Sequence, residues 1–303
     1  MGKKRLLSSL IGVAMLAAMG NSAFAAEAPL HLNVNGTKLA DQKPVIIDQS
    51  ILVPIRTISQ LPGFHVDWDN KSKTVSVTNG STQDVLKLTV GKTKAVLGAS
   101  TVTVSVPPRN IGSSVYVPLR FIAESLNAYA AWDAESRTAV VYPFPASEEY
   151  KSEDLAASRQ AVLGLPKISL KDHLGFTPDV RTTTYYFPQN QSQKFFIQEG
   201  EYIRYFEVEN GAAWQRWEGQ AGAKKAGERD AVPNLVPAVK GEWGKRPAYS
   251  GAYVYFMHEW MAGEVRYGLL DETGEGTELG SKEGVFDQVI IFPIDGEKGM
   301  ELR

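Results

Sequence analysis

The sequence predicts an α+β module, internally duplicated with an antiparallel sheet and short helices, followed by an all-β module of sandwich or barrel type. Three observations carry this. Leu52 to Val77 (LVPIRTISQLPGFHVDWDNKSKTVSV) repeats without a gap as Tyr116 to Val141 (YVPLRFIAESLNAYAAWDAESRTAVV). Each copy shows a short 3.6-period apolar face set among alternating stretches. Beyond Pro166 the helical signal disappears, and short alternating runs separated by glycine turns take over.

The first twenty-five residues stand apart. Lys3, Lys4 and Arg5 precede a mostly apolar run, Leu6 to Ala18, and Ala23-Phe24-Ala25 supplies a small-x-small end. That is the pattern of a secretory signal peptide, residues 1–25, cut after Ala25. No later run approaches the length of a membrane span, so no membrane contact is expected once the signal is removed. The chain has no cysteine, so the exported fold rests on its core alone. Residues 26–145 hold eleven Lys/Arg against nine Asp/Glu, and residues 146–303 hold eighteen against twenty-five. Without a basic field, nucleic acid is not an expected partner.

Residues 26–145 form the duplicated module. Nine of the twenty-six aligned positions are identical: Val53/Val117, Pro54/Pro118, Arg56/Arg120, Ile58/Ile122, Trp68/Trp132, Asp69/Asp133, Ser72/Ser136, Thr74/Thr138 and Val77/Val141. Upstream, LNVNGTK (Leu32 to Lys38) matches LTVGKTK (Leu88 to Lys94). Such a register marks an internal repeat. Alternation at Leu32, Val34 and Leu39, and at Leu86, Leu88 and Val90, gives a strand. Val-Pro then opens a short helix, because proline at a first turn loses no needed hydrogen bond. Leu119, Ile122, Ala123 and Leu126 give it one apolar face, as do Ile55, Ile58 and Leu61. Trp-Asp and an alternating tail close each copy as a hairpin. Arg56 and Arg120 are expected to span the helix–sheet junction and pair with Asp69 or Asp133. Trp68 and Trp132 are expected to pack each hairpin.

These motifs, V-N-G-x-x-L, then I-L-V-P-I-R, then W-D-x-x-S-K-T-V, then the set again, resemble the copper amine oxidase N-terminal-like domain, also called a stalk domain. The resemblance covers Leu30 to Tyr142. It implies a twisted antiparallel sheet wrapped on helix and an envelope or surface setting. It does not imply amine oxidation, since copper and the quinone belong to a separate catalytic domain. That domain's Asn-Tyr-[Asp/Glu] site and His-x-His pair are absent, and His31, His65, His173 and His258 are isolated. No cofactor and no metal site is expected.

Residues 146–165 are expected to be a linker or short helix, and residues 166–303 the β-rich module. Strands are expected at 182–187, 194–198, 202–209, 253–257, 265–270 and 285–292, with a hairpin around Glu272 to Gly276 and a long surface loop from Gln220 to Arg246. No nucleophile elbow occurs, and His258-Glu259-Trp260-Met261-Ala262 lacks the second histidine of a zincin. The aromatic excess is the better clue. Trp214, Trp217 and Trp260 are the candidate binding residues, because indoles can stack on sugar faces; the rings of Trp214 and Trp217 can also fill a sandwich core, which is the more common fate of such residues. Glu207, Glu209 and Glu218 flank the first two indoles, and Glu259 and Glu264 flank Trp260, so a carboxylate pair stays open.

The reading is a secreted, non-catalytic envelope protein, extracellular and with wall association as a further option. A stalk-like module carries a β-rich module that binds wall glycan, exopolysaccharide or an envelope protein. The alternatives are a carbohydrate- or peptide-acting hydrolase with its site in 166–303, and a structural matrix or spore-surface component.

Overall fold

The computed structural model describes residues 29–40, 43–145, 147–170, 181–221, 239–248, 251–284 and 289–297. The expected signal peptide, and the middle of the expected Gln220–Arg246 loop, lie outside the described residues. Among the described residues no helix is long and apolar enough to cross a membrane.

The first copy runs β1 (His31–Val34), β2 (Thr37–Lys38), β3 (Val45–Ile47), β4 (Ser50–Pro54), α1 (Ile55–Ile58), β5 (Phe64–Asp69) and β6 (Thr74–Asn79). The second runs β7 (Val85–Thr89), β8 (Lys94–Leu97), β9 (Ser100–Thr103), β10 (Arg109–Ile111), β11 (Ser114–Pro118), α2 (Leu119–Ser125), β12 (Ala128–Asp133) and β13 (Thr138–Pro143). Both prolines end a strand and hand over to the helix in the next residue. Three sheets result, in the orders β12-β13-β1-β2, β10-β11-β4-β3 and β5-β6-β7-β8-β9. At the centre of the second sheet, Val53 lies opposite Val117 in the antiparallel β4–β11 ladder. Like residues thus face each other across a local twofold. The helices bury Ile58, Leu119, Ile122 and Ala123 against one core shared by both copies, with Val53, Val75, Val117 and Val141 beneath them.

The second module starts earlier than the sequence reading places it. After a 3-10 turn (Glu149–Lys151), α3 (Leu155–Gly164) is capped by Asp154, whose carboxylate accepts from the Ala156 and Ala157 amides. The helix is no tether: Val162, Leu163 and Leu165 sit in the second module's core. Then come β14 (Lys167–Ile168), β15 (Thr182–Pro188), β16 (Lys194–Glu199), β17 (Tyr202–Glu209), β18 (Ala212–Ala221), β19 (Val239–Gly244), β20 (Tyr253–Glu259), β21 (Glu264–Leu270) and β22 (Gly276–Glu283). They build one nine-stranded sheet, β14-β18-β17-β16-β15-β20-β21-β22, with β19 also on β18.

Two expectations change. The Gln220–Arg246 segment contributes a strand, β19, rather than loop alone. The described part of 285–292 is not strand: Ile291 and Phe292, with Ile294 beyond them, enter the core as irregular chain. That end is fixed by Arg159, which is buried and holds the equally buried Glu297 through two hydrogen bonds of 2.5 and 2.7 Å. Glu297 also accepts from the Asn190 amide, so the carboxylate is satisfied on both oxygens.

Aromatic rings cross over glycines on the sheet. A Cβ at Gly219 would strike the Trp217 ring, and one at Gly268 would meet Tyr255. Residues with side chains could not let those rings lie so close to the backbone.

Candidate functional site

A cleft of about 390 Å³ opens in the first module between the β3–β4 hairpin, the start of α2 and the β12–β13 hairpin. The hairpin turn, Asp48-Gln49, has positive φ at both residues (48° and 62°), the signature of a type I′ turn. Arg109 on β10 pins it by donating to Asp48 at 2.9 Å. Ile46 from β3, Phe121 from α2, and Ala131 and Trp132 from β12 supply apolar wall. Arg120 and Glu124 add opposite charges, 4.0 Å apart at i,i+4 and both largely exposed. Such a pair in water contributes little to stability. The cavity combines apolar lining with a few polar groups in the size range of ligand pockets.

The structure splits the recurring residues between two fates. Trp132 is half-buried against the core and lines the cleft. Trp68, its counterpart, is 37% exposed and stands outside the core cluster that Trp132 joins. Asp69 and Asp133 are turn-builders: each accepts from the hydroxyl of the serine three residues on, Ser72 or Ser136, at 2.5 Å. That hydroxyl, with the Lys71 amide, holds the Asp69 carboxyl below its ordinary range. The acid beside Arg120 is Glu124 rather than Asp133, because α2 continues long enough to place an i,i+4 partner. Pro54 and Pro118 close β4 and β11, with Arg56 and Arg120 two residues later on the helices.

Trp214 and Trp217 take the second role the sequence leaves open. A bulge where β17 meets β18 pairs Tyr205 with Trp217 but Phe206 with Gln215. The extra residue brings two indoles three apart to one face of the strand. Trp217 is fully buried with Phe196, Tyr205 and Tyr253, and donates to Glu242 at 2.9 Å. Trp214 seals the joint between modules, packing with Val140, Tyr142 and Ile168. Its ring meets Tyr142 edge-on at 6.2 Å, and Tyr142 donates to the Asn210 carbonyl at 3.3 Å. Burial, then Tyr129, pushes the Tyr142 phenol far up. Across the same joint, Asn33 donates to the Ser169 carbonyl at 3.0 Å. Arg216 lies over Trp214 and pairs with Glu209 at 2.7 Å, beside a smaller hollow of about 150 Å³ that Trp132 also lines. Trp260 donates to the Thr183 hydroxyl at 2.9 Å and tilts over His258.

His258 is buried, and its Nε2 has no hydrogen-bond partner among the described residues. Burial lowers its pKa, opposed by a hydrogen bond to the Ile290 backbone. Among the flanking carboxylates, Glu218 is buried, accepts from Gln215 at 2.8 Å and lies opposite Arg204 in the β17–β18 ladder. Arg204 also pairs with Glu199. Arg204 is thus ion-paired with Glu199 and within electrostatic reach of Glu218, a cluster that adjacent-residue reading missed because only the ladder register unites it. Among the described residues no group of three His, Asp or Glu side chains could hold a metal ion.

The β-rich body of the first module, with short helices opening after Pro54 and Pro118, is stalk-like. Residues 33–141 match the copper amine oxidase N-terminal domain family. No family matches the second half. A protein of Brevibacillus choshinensis named "Protease inhibitor" is 29% identical over 132 residues, which make up 41% of this chain and 39% of that protein. The chain thus spans under half the length of that curated relative.

Proposed function

We propose that the protein is an exported, non-catalytic binding protein of the cell envelope. Its two modules act as one body, and its partner is a protein. The cleft between β3, α2 and β12 carries this reading, since it joins apolar wall to opposite charges on a family domain with an accessory role. The name of the Brevibacillus relative, a protease inhibitor, supports a protein rather than a glycan as partner. The burial of Trp214 and Trp217 points the same way, because sugar stacking needs open ring faces. Internal duplication of residues 26–145 is part of this proposal and explains why one copy could specialise while the other kept the fold. The second module's role is to brace the first through the Trp214–Tyr142 joint.

The test is retention of residues 26–303 on purified cell wall, on a glycan panel, and on a panel of immobilised secreted proteins including proteases. Saturable retention on a protein, without turnover, supports the reading. Retention on glycan alone refutes the protein partner. Hydrolysis of any offered substrate, abolished by Glu218→Gln, moves the function to the Glu199–Arg204–Glu218 cluster.

A further inference from the structure

We propose that the cleft captures an extended strand of a partner protein, which adds to β3 and lowers a bulky apolar side chain beside Trp132 and Phe121. This rests on the reading of the protein as a protein-binding module and names what the cleft takes.

Four observations converge. First, β3 is the outermost strand of its sheet. In the type I′ hairpin, Ile47 pairs with Ser50 and Ile46 with Ile51. The residues flanking a two-residue turn exchange both backbone bonds, so the next pair turns its amides outward. Ile46 therefore presents its N–H and C=O to the open side of β3. Second, among the described residues that edge is apolar and unguarded. It reads Val45-Ile46-Ile47, and Ile46 is 47% exposed. The counterpart edge, β10, reads Arg109-Asn110-Ile111 and ties its arginine to Asp48. Charged and polar residues are how proteins protect a sheet edge, and β3 lacks them.

Third, the lining differs from that of the matching site with the two copies exchanged. Ile46 of the first copy and Phe121 and Ala131 of the second line the cleft, and the repeat register puts Asn110 of the second copy and Thr57 and Asp67 of the first at the matching positions. All three differences make this cleft more apolar than its twofold counterpart. Fourth, charge selects the occupant. Arg120 is held only loosely by Glu124 at 4.0 Å, so its planar fork is free to grip a carboxylate. In an extended chain, side chains two apart share one face. The occupant is thus a strand with a bulky apolar residue and a carboxylate two positions apart. Strand addition of this kind takes affinity from main-chain bonds and specificity from the pocket.

The experiment titrates residues 26–303 with a fluorescein-labelled peptide, Thr-Val-Thr-Ile-Thr-Glu-Thr-Val, and reads anisotropy. A second peptide carries Gln in place of Glu. The wild type should bind saturably, and Ile46→Pro, which removes the outward N–H, should weaken binding by roughly tenfold or more. Ile46→Lys guards the edge without touching the backbone and should weaken it as well. Phe121→Thr should do the same. Arg120→Gln should erase the preference for the Glu peptide over the Gln peptide. Asn110→Pro, on the opposite edge, should change nothing. Thermal melting of each variant separates lost binding from lost fold. Equal binding by wild type, Ile46→Lys and Phe121→Thr overturns the cleft assignment. So does the absence of peptide binding when a protein is retained in the pull-down, and in that case the protein-binding reading survives. Retention on glycan alone sinks both. Sedimentation showing a dimer that Ile46→Lys dissolves would make a second copy of this chain the occupant and overturn the partner proposal.

Discussion

The two copies of the repeat build the same order, hairpin beside hairpin, in different ways. In the first, β5-β6 adjoins β7-β8, and β6 and β7 run antiparallel. In the second, β12-β13 adjoins β1-β2, and β13 and β1 run parallel. Connectivity accounts for the difference. A short turn joins β6 to β7, and a short turn can only reverse the chain. No such link joins β13 to β1, so β1 is free to enter in the other direction. Each copy's opening strand completes the sheet of the other copy's hairpin. Likeness of sequence therefore fixes the units, while the links between them fix how the units pair.

The copies also differ in what they touch, and this can be tested. The largest contrast lies in two turn glycines. Gly36, after β1, has φ of +87°, and a Cβ there would lie 2.4 Å from the Lys167 carbonyl of the second module. Gly91, after β7, has φ of +74° and open space around it. Gly36→Ala should cost about 3–4 kcal/mol, strain plus a clash, and loosen the joint between modules. Gly91→Ala should cost only about 1–2 kcal/mol of strain. Denaturant unfolding of both, with limited proteolysis between the modules, checks this; equal losses would remove the idea that the first turn is wedged against the second module.

Next come the indoles. Trp132→Ala should destabilise by about 2–3 kcal/mol, since the half-buried ring packs core and cleft, and Trp68→Ala by less than about 1 kcal/mol. A calorimetric comparison that ranks them the other way breaks the asymmetry.

Outside the repeat, His258 gives a pH effect of about 1 kcal/mol or less. Its folded pKa is lowered by burial, so the unfolded state binds the proton more readily. Its contribution is complete above the ordinary histidine value and shrinks as pH falls below it. Melting temperatures between pH 7 and pH 5 should fall less steeply for His258→Phe than for wild type. The smallest effect belongs to Asp69. NMR titration should place its carboxyl midpoint below the ordinary aspartate range, and Ser72→Ala should raise it, because Ser72 is the main cause of the lowering.

Much of this was legible in the residues. Val-Pro-x-Arg and Trp-Asp-x-x-Ser announced strand ends, helix starts and turns because each depends on neighbours in the chain. Period-two alternation placed β15, β16, β17, β20 and β21 within a residue or two. Long-range register was not legible. The parallel β1–β13 ladder, the bulge that turns Trp214 and Trp217 to one face, and the meeting of Glu199, Arg204 and Glu218 all arise from strands that find each other across the fold. β18 escaped the alternation test for the same reason, since its bulge breaks the period. The cleft itself has no local signal, because its walls come from β3, α2 and β12.

The pairing of Val53 with Val117 has one more outcome. Each copy meets the other through the strand it shares by descent of pattern, so a single copy carries an adhesive edge shaped for its own likeness. Severed from its companion, such a half would meet a sister molecule along β4 or β11 and rebuild the same central ladder between chains. Self-association that rises with concentration is then the natural fate of either half on its own, and covalent linkage is what keeps that attraction within one molecule.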